Sequence, residues 1–189
     1  LNPGTISVTV DKLAQKDVYQ SNTISDITST ITNGGTLSIK VGDTTYYFDT
    51  TGKSYEDLVE EMSYYSKLDV NLEKVNNTDY RMIVKGTESG TANAVTISQS
   101  GTTNLGFNDT GNHVLTAQNM EATIDGVDYD VSSNKLTMES GLIIQAVSTG
   151  DSSINMERDT STIVTRISDI ATKYNDLVDL IDSYTLGDE

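Results

Sequence analysis

The side chain best suited to acid–base or metal chemistry is the single histidine, His113. It follows Gly111 and Asn112 in a polar stretch, which predicts a solvated loop residue. The sequence contains no cysteine and no second histidine, so a zinc ligand set is missing. A serine or threonine nucleophile would need His113 or a lysine as its base, and the sequence has no G-x-S-x-G motif. We therefore predict neither a catalytic centre nor a cofactor.

Acidic residues are the other candidate ligands. Asp125, Asp128 and Asp130 crowd one predicted hairpin, where calcium is conceivable. An EF-hand loop, however, needs a glycine at position six and a glutamate at position twelve, and both are missing here. We therefore interpret these aspartates as the polar face of a hairpin and predict no metal. Two further acidic sets are interpreted as solvated helix faces: Glu56, Asp57, Glu60 and Glu61, and Asp176, Asp179 and Asp182.

The overall charge limits the classes of partner. The 189 residues have a formal net charge of −16, which argues against nucleic acid and against an anionic membrane surface. No apolar run approaches the roughly 18 residues of a membrane span, and no signal peptide is visible. A cysteine-free chain rich in Ser, Thr, Asn and Asp is compatible with export and an extracellular location.

The best-formed predicted unit is a β-β-α-β-β arrangement in the middle of the chain. Its first hairpin turns at Gly42 and Asp43, and its second turns at Asn76 and Asn77. Between them, Ser54 and Asp57 resemble a capping box at the start of an amphipathic helix. The predicted strands cover 36–41, 44–49, 69–75 and 80–85, and the helical stripe is Tyr55, Leu58, Val59, Met62 and Tyr65.

The flanking segments also indicate mainly β-structure. Residues 5–10 alternate as a half-buried strand, and the turn at Asp125 and Gly126 predicts another hairpin. Residues 141–149 have the apolar content of a buried strand. Residues 21–33 stay ambiguous, because their isoleucines have helical spacing while their β-branched content favours extended chain.

The last thirty residues carry a heptad pattern that the rest of the chain lacks. Asp159 opens a predicted helix and Gly187 ends it. Apolar residues recur at alternating spacings of four and three, which is typical of a coiled-coil seam. One stripe needs a partner helix, supplied by another molecule or by sequence outside this chain. The seam residues are Ile163, Ile167, Ile170, Tyr174, Leu177, Ile181 and Tyr184.

Several stretches occur in the order found in one family. They are residues 4–15, 36–86, 90–97, 105–107, 117–126, 158–160 and 174–177. This collinear set resembles the bacterial flagellar filament cap proteins, also called hook-associated protein 2. The family more often has alanine where this chain has Met120.

The resemblance implies an α+β, mainly β fold with two antiparallel head domains and a C-terminal stem helix. Residues 1–33 and 117–158 would form the inner head domain, residues 34–116 the outer one, and residues 159–189 the start of the stem. It also implies export without a cleaved signal peptide, a ring-like homo-oligomer at the filament tip, and promotion of flagellin polymerisation.

Two alternatives to a cap remain open. A β-rich, tyrosine-containing, acidic surface permits an adhesin head that binds host glycan or mucin. Another hook-associated junction protein is the alternative within the structural class, since such proteins share the hairpin–helix repeat. No constellation of residues supports an enzyme.

Overall fold

The described part of the chain is mainly β, with two α-helices, as the sequence predicts. The computed structural model describes residues 3–101 and 104–185. Its helices are α1 (Tyr55–Ser63) and α2 (Ser161–Thr185), and a short 3-10 turn covers Thr91–Asn93. The strands are β1 (Gly4–Lys12), β2 (Val18–Gln20), β3 (Thr36–Val41), β4 (Thr44–Asp49), β5 (Leu68–Lys74), β6 (Tyr80–Gly86), β7 (Val95–Ser100), β8 (His113–Leu115), β9 (Met120–Ile124), β10 (Val127–Val131), β11 (Lys135–Thr137), β12 (Ile143–Gln145) and β13 (Gly150–Met156).

The chain divides into two compact units. One is Ser7–Ser153, and the other comprises the described residues before Ser7 and after Ser153. Within the described residues the strands form four sheets with the orders β10-β9-β1-β13, β11-β12, β5-β6-β2-β8 and β4-β3-β7. The pairs whose register is known are antiparallel.

The main core of Ser7–Ser153 lies between two of these sheets and α1. Alternation along β3 turns Leu37, Ile39 and Val41 inward, and every second residue of β6 does the same. Helix α1 adds Leu58 and Met62, which are fully buried. The predicted β-β-α-β-β order is therefore present, but its two hairpins belong to different sheets that face each other across this core.

The start of α1 is fixed by the capping box that the sequence predicts. Asp57 N donates to Ser54 Oγ at 3.1 Å, and Ser54 N donates to an oxygen of Asp57 at 3.1 Å. These two bonds satisfy backbone donors that have no partner inside the helix. The Ser54 hydroxyl also donates to Asp57 Oδ2 at 2.7 Å, and this bond, followed by the bond from Ser54 N, lowers the pKa of Asp57.

The predicted hairpin turns are confirmed. Gly42 joins β3 to β4 with a φ of 56°, and a side chain at this position would meet the Ala92 carbonyl oxygen at 2.7 Å. Asp125 and Gly126 join β9 to β10 with φ values of 49° and 81°. Two consecutive residues with positive φ are typical of the tight hairpin turn that Asp-Gly favours.

Two segments differ from the sequence expectations. Residues 141–149 do not form a buried strand: only Ile143–Gln145 pairs, in the two-stranded β11-β12 sheet, and Val147 is 82% exposed. A two-stranded ribbon has no second layer to cover such side chains. Residues 21–33 contain neither a helix nor a named strand, although Ile24 and Ile31 are buried in the main core.

The chain enters the sheet that covers the main core early, at strand β2. Strand β2 pairs with β6 and β8, so Val18–Gln20 belongs with the sheet that covers the main core. The sequence places the boundary of the outer head domain later, after Asn33. The division into head domains at 33/34, 116/117 and 158/159 stays a prediction.

The C-terminal helix begins where the sequence predicts. Ser161 N donates to Asp159 Oδ1 at 2.9 Å, which supplies a cap. A bond from the Ser161 hydroxyl, followed by this backbone bond, lowers the pKa of Asp159. The predicted end at Gly187 lies outside the described residues. Among the helices that the structure describes, none is long and apolar enough to cross a membrane.

Candidate functional site

The single histidine is exposed, but it lies in a strand, so the prediction of a loop is wrong. His113 begins strand β8, and its ring stacks on Tyr19 with centroids 4.1 Å apart and planes 3° apart. Its Nε2 lies 2.7 Å from Oδ1 of Asp17, whose side chain is only 2% exposed. This contact was hard to predict, because no pattern around Asp17 in the sequence indicates that its carboxylate is buried.

Asp17 connects three parts of Ser7–Ser153. Besides His113, its carboxylate accepts hydrogen bonds from the backbone N–H of Ala117 at 2.8 Å and from that of Val95. The donors come from the start of β7, from β8 and from the segment before β9. Backbone donors and a histidine are suitable partners for a buried carboxylate. We call Asp17, Tyr19 and His113 the Asp17 junction.

A β-bulge aims His113 at this junction. Val18 lies opposite Leu115, but Tyr19 lies opposite His113, so β8 carries one extra residue, Val114. Such a bulge turns neighbouring side chains to new directions. Burial, followed by the negative charge of Asp17, raises the pKa of Tyr19.

An open groove of about 460 Å³ adjoins the Asp17 junction. Tyr19, Phe107 and His113 supply its aromatic part, and Asn108 and Asp109 supply polar groups. Asp109 is held in place by hydrogen bonds from Asn22 and Asn104. The groove therefore combines aromatic rings with amide and carboxylate oxygens.

The hairpin aspartates do not converge on one point. Asp125 accepts from the backbone N–H of Ser7, Asp128 from the hydroxyl of Thr123, and Asp130 from the amide of Asn119. Each carboxylate thus has a separate protein partner. In the ranges 3–101 and 104–185, no group of three His, Cys, Asp or Glu side chains is arranged to hold a metal ion.

A Ser-x-x-Lys spacing also occurs, at Ser132 and Lys135. This spacing is found in some serine acyl-transfer enzymes. Both residues are exposed on the surface. A lysine base needs a shielded environment to act on a serine hydroxyl, and this pair lacks one.

The predicted seam lies on an exposed helix face. Every residue from 161 to 184 is exposed, and the apolar seam side chains retain between 51% and 78% of their accessible surface. Seven positions over six alternating steps of four and three stay on one side of an α-helix. Whether these residues form a coiled coil stays a prediction.

The apolar face is wider than the predicted seam. Val164 and Val178 follow two seam residues directly, and Leu180 precedes Ile181; all three are exposed. Arg166 and Lys173 flank the same face, while Asp169 and Asp176 lie farther from it. A stripe broader than the two seam positions per heptad is typical of helices that pack in bundles.

Comparison with known proteins gives the same picture as the residue patterns. No family model matches the sequence. The flagellar hook-associated protein 2 of Campylobacter jejuni is 24% identical over 96% of this chain, which spans 35% of that relative. The crystal structure of the flagellar cap protein FliD D1-D2-D3 domains from Escherichia coli is 26% identical, with a TM-score of 0.69 over 96% of this chain and 59% of that one.

The chain is similar to flagellar cap proteins in both sequence and fold. The structure of FliD from Pseudomonas aeruginosa supports the fold, with a TM-score of 0.67, 21% identity and coverage of 98% of this chain and 93% of that one. The family resemblance seen in the sequence is thereby confirmed.

Proposed function

We propose that this chain is part of a cap at the tip of a bacterial flagellar filament, where it promotes flagellin polymerisation. The observation that carries the proposal is the likeness to the Escherichia coli cap protein, which extends over 96% of the chain and includes both sequence and fold. The proposed role is that of a structural assembly factor and requires no catalytic residue or cofactor.

The proposed partners are flagellin and further copies of the cap protein, arranged as a ring. The proposed location is extracellular, at the filament tip, after export without a cleaved signal peptide. The net charge of −16 supports protein partners over nucleic acid or an anionic membrane.

In this proposal the face of α2 binds a partner helix. Its contact residues are Ile163, Ile167, Ile170, Tyr174, Leu177, Ile181 and Tyr184, which are all exposed. Burying one large apolar side chain contributes about 1.5–3 kcal/mol. Seven such residues supply ample free energy for a stable stem.

A cap of this kind acts by confinement. Subunits that reach an open filament end diffuse away before their terminal segments have folded. A ring of β-rich heads on helical supports encloses a small volume at the tip, where an arriving subunit is held until it packs. The Ser7–Ser153 unit, with its continuous core, would supply the rigid part of that enclosure.

Deletion of the gene tests this function. We expect cells that lack the protein to secrete flagellin into the medium and to build short filaments or none. Wild-type protein should restore the filaments, Leu177→Asp should not, and Asp179→Asn on the polar side of α2 should restore them as a matched control. Normal filaments in the deletion strain would contradict the cap function.

The groove beside the Asp17 junction favours a glycan-binding head as the second candidate. Its aromatic and polar lining, with Tyr19, Phe107 and Asp109, is suited to sugar rings and their hydroxyl groups. A glycan array probed with the chain and with Asn108→Ala tests it. Binding that Asn108→Ala weakens, together with normal filaments in the deletion strain, would replace the cap function by adhesion.

A further inference from the structure

The Ser7–Ser153 unit contains a second group of buried side chains besides the main core. This second group lies on β1 and β9, where Val8 is opposite Ile124 and Val10 is opposite Ala122. All four side chains are buried, and none of them belongs to the main core. The stiffness of the unit therefore depends on what joins the second group to the main core.

Two extended segments of the chain connect these two parts. They are residues 13–17, which follow β1, and residues 116–119, which precede β9. Gln15 and Gln118 pair through both of their backbone hydrogen bonds, at 2.9 and 3.1 Å. Each of the two side chains also donates to a backbone carbonyl of the opposite segment, at 2.9 and 2.7 Å. The segments thus form a narrow two-stranded ribbon, which twists more easily than a wider sheet.

A loop between β6 and β7 adds a third connection, which is not covalent. We call its residues 89–91 the latch. The latch donates three hydrogen bonds to the other part: to the segment after β1, to the segment before β9 and to the chain that follows β10. The bonds are Gly90 N to Gln15 O at 3.1 Å, Thr91 N to Asn119 Oδ1 at 2.9 Å, and Ser89 Oγ to Ser132 O at 2.6 Å.

Glycine at position 90 lets the latch lie directly against Ser132. The φ of Gly90 is 92°, in the left-handed region that favours glycine. A Cβ at this position would lie 2.4 Å from Cβ and 2.6 Å from Cα of Ser132. Both distances are far shorter than the contact distance between carbon atoms, about 3.5–4.0 Å. Any side chain at position 90 would therefore push the latch away from Ser132.

The latch is held in its shape by the main-core side. Asn93 donates to the Ser89 carbonyl through its side chain at 2.8 Å and to the Gly90 carbonyl through its backbone at 3.0 Å. Two residues later, the Val95 N–H donates to the buried carboxylate of Asp17. Because the loop is already ordered, contact with the second part costs it little conformational entropy.

We propose that the latch locks the orientation of β1, β9 and β10 relative to the main core, so that Ser7–Ser153 moves as one stiff body. The contact with Ser132 lies outside the two-stranded ribbon, so it opposes twisting about the ribbon. The three bonds come from consecutive residues and therefore form and break together. With the latch open, only the ribbon joins the two parts, and they turn about it. The lock concerns the stiffness of this unit alone, so this proposal and the cap function can fail separately.

A distance measurement between the two parts tests the lock. The sequence contains no cysteine, so nitroxide labels can be attached specifically at Tyr47→Cys on β4 and Val127→Cys on β10. Both side chains are exposed, by 70% and 55%. Gly90→Ala in this labelled chain forces the latch away from Ser132. Gly52→Ala is the matched control, because Gly52 also has a positive φ, 71°, but a Cβ there would meet nothing within 4 Å.

Pulsed electron paramagnetic resonance gives the distribution of distances between the two labels. We expect one narrow distribution for the labelled parent and for Gly52→Ala. The distribution for Gly90→Ala should be at least twice as wide, because the two parts then turn about the ribbon. Equal widths in all three chains would overturn the proposal.

Asn119 provides an independent variant in case Gly90→Ala does not fold, which circular dichroism shows. Asn119→Ala removes the acceptor of the Thr91 N–H, and it also removes a bond from the Asn119 amide to Asp130. Asp130→Ala removes only the second of these bonds and is the control. We expect a wide distribution for Asn119→Ala and a narrow one for Asp130→Ala. Equal widths in these two chains would also overturn the proposal.

Discussion

The Ser7–Ser153 unit and helix α2 use the same types of apolar side chain in opposite ways. Leu58 of α1 is fully buried in the main core, whereas Leu177 of α2 is 52% exposed. Both occupy regular stripes on amphipathic helices. The difference teaches that a stripe shows which face of a helix makes contact, while the surrounding chain decides whether the contact lies within the molecule.

Alanine substitutions at these two leucines should give the largest difference. Leu58→Ala removes packed methyl groups from a filled core and should lower the free energy of unfolding by about 2–5 kcal/mol. Leu177→Ala, made in the same chain, should change it by less than about 0.5 kcal/mol, as at exposed sites generally. Urea unfolding followed by tyrosine fluorescence measures both.

The comparison would break if the two variants behaved alike. A large loss of stability in Leu177→Ala would mean that α2 is already packed in the chain as it stands. The exposed seam would then be no evidence for an external helix.

The Asp17 junction should give the next largest effect. Asp17→Ala leaves the backbone N–H groups of Val95 and Ala117 without their acceptor in a buried site. We expect a loss of about 3 kcal/mol in the free energy of unfolding. Asp69→Ala, on the exposed side of β5, is the control and should be nearly neutral.

Substitution of the histidine sharpens this result. His113→Ala removes one of the three donors to Asp17 and the ring stacked on Tyr19, but leaves both backbone donors in place. Its cost should be measurable and smaller than that of Asp17→Ala. An unchanged melting temperature would show that His113 is merely a surface residue.

The cap of α1 should give the smallest effect, with a defined pH dependence. Ser54→Ala should cost about 1 kcal/mol at neutral pH. The folded-state pKa of Asp57 lies below its ordinary value of 3.8, so its stabilising contribution is complete well above 3.8 and is lost as the pH falls through the lower folded-state pKa. Because Ser54 is the main cause of this shift, the stability difference between wild type and Ser54→Ala should shrink as the pH falls below 3.8.

A pH-independent difference in thermal melting would contradict this account of the cap. Ser63→Ala is a control, since its hydroxyl donates only to the Glu60 carbonyl within the helix.

Local rules explain most of what the sequence predicted. Turns such as Asp125-Gly126 need residues that tolerate positive φ, and such residues are visible in the sequence. The cap of α1 needs a hydroxyl at Ser54 and a carboxylate three residues later at Asp57, which is also a short sequence pattern. Helix α2 was predictable for the same reason, because its periodicity and its Asp159 cap lie within adjacent turns.

Features that depend on distant contacts were not predictable. Asp17 is buried because Val95, His113 and Ala117 reach it from up to 100 residues away. The bulge that turns His113 toward it is visible only in the register of β2 against β8. Residues 141–149 were wrongly predicted to form a buried strand, because an apolar run becomes buried only where another layer of the fold covers it.

Amide hydrogen exchange of α2 tests the central claim most directly. It is measured on residues 163–184 in dilute chain and again in the assembled cap at a filament tip. Most of the stability of a helix in a protein comes from packing of its apolar face, and that face of α2 is exposed, so exchange in the dilute chain should be fast. We predict at least hundredfold slower exchange in the assembly, because a partner helix covers the apolar face. Equally fast exchange in both states would contradict the claim.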